Sequence, residues 1–120
     1  MKYGLIAAGF ASAILFAVPA FAGDQDFTLV NKTGYEVAEV YVSPAHAKRW
    51  GSDIMGSDVL SNGSSVDIKF SPNASACKYD LKVIYSDKDE AEWGDVDLCT
   101  ISQITIHWNK KSGESTAEVE

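Results

Sequence analysis

The run from Asp87 to Asp97 sets Asp87, Asp89, Glu90, Glu92, Asp95 and Asp97 against the single Lys88. Carboxylate oxygens gathered on one loop are what a hard cation such as Ca2+ selects. A regular EF-hand is excluded: counting Asp87 as position one, the glycine needed at position six is Glu92 and the bidentate glutamate at position twelve is Leu98. What remains is an irregular Ca2+ site drawing on Asp87, Asp89 and Glu90, with Asp53 and Asp58 supplied from elsewhere. The competing reading is a solvated turn and polar strand face, whose charges discourage edge-to-edge pairing.

Other chemistry is poorly provided for. A zinc site needs three or four ligands, and the chain offers only His46 and His107 beside its two cysteines. Serines are many, but none stands in a Gly-x-Ser-x-Gly turn, and no motif brings a histidine to one. The glycines do not form a phosphate-binding loop. No catalytic residue is singled out, and beyond Ca2+ no cofactor is expected.

Cys77 and Cys99 allow one intramolecular pairing. Their spacing is unlike Cys-x-x-Cys, so a structural disulfide is expected, contributing roughly 3 kcal/mol by restricting the unfolded chain. The compartment agrees. Lys2 is followed by an apolar run from Gly4 to Val18, then Pro19-Ala20-Phe21-Ala22, which has the order of a signal peptide with an Ala-x-Ala cleavage site. The run is shorter than the roughly 20 residues that span a bilayer. Residues 1–22 therefore read as a signal peptide, and periplasmic or secreted localisation follows. Of the ten Lys and Arg only Lys2 is lost on cleavage, so nine basic residues face seventeen acids and the mature charge is −8. Such a surface repels nucleic acid and anionic lipid. A monomer without membrane attachment is expected after cleavage.

The elements that must position these residues are strands. Phe27, Leu29 and Val30 lie in a first strand and Val37 to Val42 in a second, with Asn31-Lys32-Thr33-Gly34 as the turn. Ser43-Pro44 reads as the cap and first position of one or two helical turns reaching Trp50, with Gly51 as a left-handed stop. Val66, Ile68 and Phe70 alternate with polar residues in a third strand. Tyr79, Leu81, Val83 and Tyr85 do so in a fourth, Glu92 to Cys99 returns as a fifth, and Ile104, Ile106 and Trp108 define a sixth. The fold expected is all-β, a small antiparallel β-sandwich or open barrel of about six to seven strands with one short helical insert. It would occupy residues 23–109, and the polar stretch 110–120 reads as a disordered tail.

The fourth and fifth strands carry a register check. Cys77 opposite Cys99 centres the hairpin on Lys88, whereas matching apolar faces puts Leu81 opposite Val96 and Tyr79 opposite Leu98, half a residue away. One extra residue, at Gly94 or near Cys99, reconciles the two as a bulge.

The large aromatics Tyr35, Tyr41, Trp50 and Trp93 are assigned first to the core, which a domain this small must fill, with a recognition surface as the alternative. Asn31, Asn62 and Asn73 begin triplets that match the N-glycosylation acceptor, and all three read as turns.

With these residues in place, the chain resembles a family of small, uncharacterised secreted bacterial proteins. The pattern is Asn31-x-Thr33-Gly34-Tyr35, Tyr41-Val42-Ser43-Pro44, Trp50-Gly51-x-Asp53, Asp58-Val59-Leu60-x-x-Gly63, Tyr79-Asp80-Leu81-x-Val83 and Asp97-Leu98-Cys99. The resemblance implies the fold and export and carries no assigned activity. It directs attention to Trp50, Gly51, Asp53 and Asp58 as a candidate binding loop. The alternative is structural, with Trp50 plugging the sandwich and Asp53 accepting from backbone amides.

The function expected is a non-enzymatic periplasmic or secreted binding domain for a protein, peptide or glycan. A Ca2+-stabilised structural module is the second reading, and a small hydrolase without a recognisable motif the third.

Overall fold

The computed structural model describes residues 24–120, so the signal segment 1–22 lies outside the described residues. Seven strands form two sheets: β1 (Phe27–Asn31), β2 (Val37–Pro44), β3 (Ser65–Ile68), β4 (Lys78–Tyr85), β5 (Glu90–Asp97), β6 (Gln103–Asn109) and β7 (Glu114–Val119). One sheet has the order β3-β1-β6-β7 and the other β2-β4-β5. The all-β sandwich and its disulfide are as read from the sequence.

The core is a single layer between the sheets. Phe27, Leu29, Ile104 and Ile106 come from the first sheet, and Val40, Tyr79, Leu81, Val83 and Tyr85 from the second. Their alternation in sequence is the cause, since successive side chains of a strand face opposite ways and β4 buries every second residue. Each such burial stabilises by about 1.5–3 kcal/mol.

Three expectations are corrected. The helical insert is absent. Pro44 ends β2 opposite Tyr79, the chain from Ala45 to Val59 runs as turns and loop, and the one helical feature among the described residues is a 3-10 turn over Leu98–Thr100. Pro44 is tolerated because β4 lies on one side only, so no ladder bond is lost on the other. Residues 110–120 are not a tail: Glu114–Val119 pairs antiparallel with β6, from Ile104 opposite Val119 to Asn109 opposite Glu114. An edge strand buries little, so it carries no apolar alternation to announce it. The pairings are not all antiparallel either, because β1 runs parallel to β6.

The β4-β5 hairpin has its bulge at Gly94-Asp95, one of the two predicted places, but its register differs from that expected. Leu81 faces Trp93 and Tyr79 faces Val96, and Tyr85 N donates to Asp89 O at 2.8 Å to close a turn centred on Asp87. Gly94 fits the bulge closely: a Cβ there would lie 3.3 Å from Asp80 Oδ1, so the carboxylate would have to shift slightly, and Asp95 beside it takes φ 54°. Cys77 and Cys99 are joined just beyond the strands, where Leu98 N donates to Cys77 O at 2.9 Å.

Asn31 anchors the β1-β2 connection. Fully buried, it donates to Tyr35 O and Leu60 O at 2.8 and 2.9 Å and accepts from the Thr33 hydroxyl at 2.6 Å. Its place is structural, as the turn reading has it, and the folded chain offers no access for a glycan there.

Candidate functional site

The outer face of the β2-β4-β5 sheet is built by the residues that alternate with the core. Val40 and Val83 face inward, so their neighbours Tyr41 and Lys82, paired across the strands, face out. Lys82 is in turn opposite Glu92 on β5, and Ser43 is opposite Asp80. Across this face passes the segment after β2. Ala45 N donates to Lys78 O at 2.9 Å, the Ser43 hydroxyl donates to Arg49 O at 3.3 Å, and His46 Nε2 lies 3.4 Å from Asp95 Oδ1.

Trp50 therefore does not plug the sandwich. It is half-buried on the outside, with its ring centre 6.4 Å from that of Tyr41. The Lys82 ammonium sits 5.1 Å from the Tyr41 ring and 5.2 Å from the Trp50 ring. A cation held over two aromatic faces is attracted by both ring quadrupoles. The Tyr41 hydroxyl donates to Glu39, and that bond, reinforced by the negative charge, pushes the phenol up to about 12. Beside Trp50 a depression of about 220 Å3 is lined by Ser43, Ala47, Lys48, Arg49, Asp80 and Glu92. Its floor is held in place, since Asp80 Oδ1 accepts from Asp95 N at 3.0 Å.

The rest of the candidate loop separates from Trp50. Asp53 Oδ1 accepts from the Val40 and Met55 amides at 2.8 and 3.0 Å, the backbone role expected of it. Ile54 N donates to Val40 O at 2.8 Å, and Val37 and Leu60 exchange backbone bonds, so the stretch from Asp53 to Leu60 covers the outer edge of β2. Gly51 has ordinary backbone rather than the left-handed stop expected, because no helix ends there. Asp58 is exposed and does not join Trp50 or Asp53 in a site.

The acidic run does not converge either. Asp87 pairs with Lys110, which also lies 4.0 Å from Asp89, and Glu90 and Glu92 are exposed on β5. The Lys110 ammonium beside Asp87 holds its carboxyl below the usual range. Among the described residues the one set of three ligand-type side chains within metal reach is Cys77, Asp97 and Cys99, whose sulfurs are spent in the disulfide.

At the hairpin's turn end stands a second aromatic group. Tyr85 stacks on Trp108 with ring centres 4.4 Å apart, Tyr35 meets Trp108 edge-on at 5.3 Å, and Lys110 lies 5.0 Å from the Tyr35 ring. Tyr85 is core and Trp108 packs against it, but Tyr35, expected in the core, stays 38% exposed beneath Lys110, which ties the β6-β7 hairpin to the β4-β5 turn. Trp93 also packs on the core.

Asp80, Lys82, Ser43 and Arg49 are not among the reactive residues legible in the sequence, and Glu92 is legible only as a member of the acidic run. The available signal is the outward half of the β4 alternation: Asp80 and Lys82 between buried residues mark a face, and a tryptophan that follows a strand stop can fold back onto it.

No protein-family model and no curated protein matches the chain. Among solved structures, an NMR structure of a protein from Eubacterium rectale has a TM-score of 0.60 at 13% identity, over 88% of this chain and 94% of that one. This likeness shows the fold alone.

Proposed function

We propose that the protein is an exported, non-enzymatic binding domain whose ligand face is the outer surface of the β2-β4-β5 sheet around Trp50. One observation carries the reading: Trp50 lies outside the core, half-buried over Lys82 and next to the depression floored by Asp80 and Glu92. A tryptophan kept partly in water at the rim of polar groups is the type of residue on which binding energy concentrates. Export rests on the signal-type start and on the disulfide, a bond that persists in oxidising compartments. Among the described residues no helix is long and apolar enough to cross a membrane. For the non-enzymatic reading, His46 and His107 each lie 3.4 Å from a carboxylate, of Asp95 and Glu118, and among the described residues no hydroxyl bonds to either imidazole. A nucleophile activated by a base is the arrangement that hydrolysis by a serine requires.

The test is affinity capture from a bacterial envelope extract with the immobilised mature chain and with Trp50→Ala in parallel. The expected result is a protein, peptide or glycan held by the first and released by the second. Equal capture by both, or none above background, overturns the reading.

A further inference from the structure

We propose that the depression beside Trp50 takes one ring of a neutral glycan; the inference rests on the binding-face reading above and names its ligand class.

Size is the first argument. At about 220 Å3 the depression is smaller than the roughly 300–1,000 Å3 of sites that enclose a drug-sized molecule. It suits a single ring of a longer ligand that continues over the open sheet.

Charge is the second. Asp80 and Glu92 come from the sheet and Lys48 and Arg49 from the crossing segment, so the lining balances in charge and offers both acceptors and donors. An anionic ligand meets the two carboxylates and a cationic one meets the two basic groups. A polyhydroxylated ring uses both, its hydroxyls donating to Asp80 and Glu92 and accepting from Arg49 and Lys48.

The aromatic pair favours the same ligand. Its inner side is occupied by the protein's own ammonium, with Lys82 Nζ 5.2 Å from the Trp50 ring and 5.1 Å from the Tyr41 ring. A ligand cation would compete with a tethered one. The remaining indole surface suits the C–H face of a pyranose, whose slightly positive hydrogens meet the negative π-face. The Ser43 hydroxyl is bonded to Arg49 O and Asp80 to Asp95 N, so that part of the lining is ordered before a ligand arrives.

The experiment is an NMR titration of the 15N-labelled mature protein with cellohexaose, xylohexaose and chitohexaose, and with tetragalacturonate and trilysine as charged probes. A neutral oligosaccharide is expected to shift the Trp50 indole N–H together with Arg49, Asp80 and Glu92. Trp50→Ala and Arg49→Ala, each checked for a dispersed spectrum, are expected to weaken it about tenfold or more. Because Arg49 is exposed, its variant stays folded and informative even where Trp50→Ala does not. Shifts at these residues with a charged probe alone overturn the glycan class and leave the binding face standing. No shift there with any neutral probe overturns the proposal, and no shift with any probe counts against the face itself.

Discussion

The Asp53 carboxylate stands in for a strand at the edge of β2: its Oδ1 accepts from the Val40 amide at 2.8 Å, where a neighbouring carbonyl would otherwise have to lie. Val40 is fully buried, so its amide has no water to turn to. Asp53→Ala is expected to lower stability by about 1–3 kcal/mol, while Asp53→Asn, which keeps an accepting oxygen, restores most of the loss. Urea unfolding of the two variants checks this, and equal losses would show that charge rather than the bond matters.

The disulfide closes a separation of 22 residues and pins the open end of the β4-β5 hairpin. Reduction is expected to cost roughly 3 kcal/mol, seen as a lower urea midpoint for the Cys77→Ala/Cys99→Ala variant. Since the turn end is held independently by Asp87 and Lys110, a folded but weaker protein is the expected outcome.

That ion pair sets a pH dependence. The folded Asp87 carboxyl titrates below its ordinary 3.8, so its contribution is present above that value and is lost as the pH falls through the lower folded one. Lys110 is raised above 10.5 by the same partner, so its contribution is complete below that value and fades as the pH rises beyond it. Both groups face solvent, so the effect is small and salt-sensitive. Asp87→Asn is expected to flatten the acid limb of stability against pH at low salt and to do so less in 1 M salt, about where the screening length is 3 Å, the remainder coming from the Asp89 amide that the carboxylate accepts. An unchanged acid limb would remove the pair from the account.

How far the sequence reveals this molecule depends on burial. The alternation Tyr79, Leu81, Val83, Tyr85 is legible because one face of β4 is core, whereas the hairpin register is not: the bulge falls at Gly94, one of the two expected places, but Tyr79 faces Val96 and Leu81 faces Trp93. Glu114–Val119 is illegible because a polar edge strand is held by backbone bonds and carries no pattern. The parallel pairing of β1 with β6 joins segments far apart in sequence, and no local signal reports it. Ser43 misleads for a different reason. It resembles a helix cap, but its hydroxyl donates to Arg49 O, bridging to the segment that folds back over the sheet and carries Trp50.

If β7 belongs to the sheet, ending the chain after Asn109 should do harm. Removing β7 frees the whole edge of β6 and the backbone bonds between Gln103 and Glu120. The truncated protein is expected to melt several degrees lower and to aggregate more readily, as exposed strand edges do. A truncated form with the melting temperature of the full chain would mean that residues 110–120 contribute nothing to the fold.

The central claim is that Trp50 stands on a binding face and not in the core, and the most direct measurement is urea unfolding of Trp50→Ala followed by far-UV circular dichroism. A half-buried ring packed on Tyr41 and Lys82 should cost about 1–2 kcal/mol when removed, leaving a cooperative transition. A loss of about 3–5 kcal/mol, the range for deleting a core tryptophan, would contradict the claim and return Trp50 to the interior.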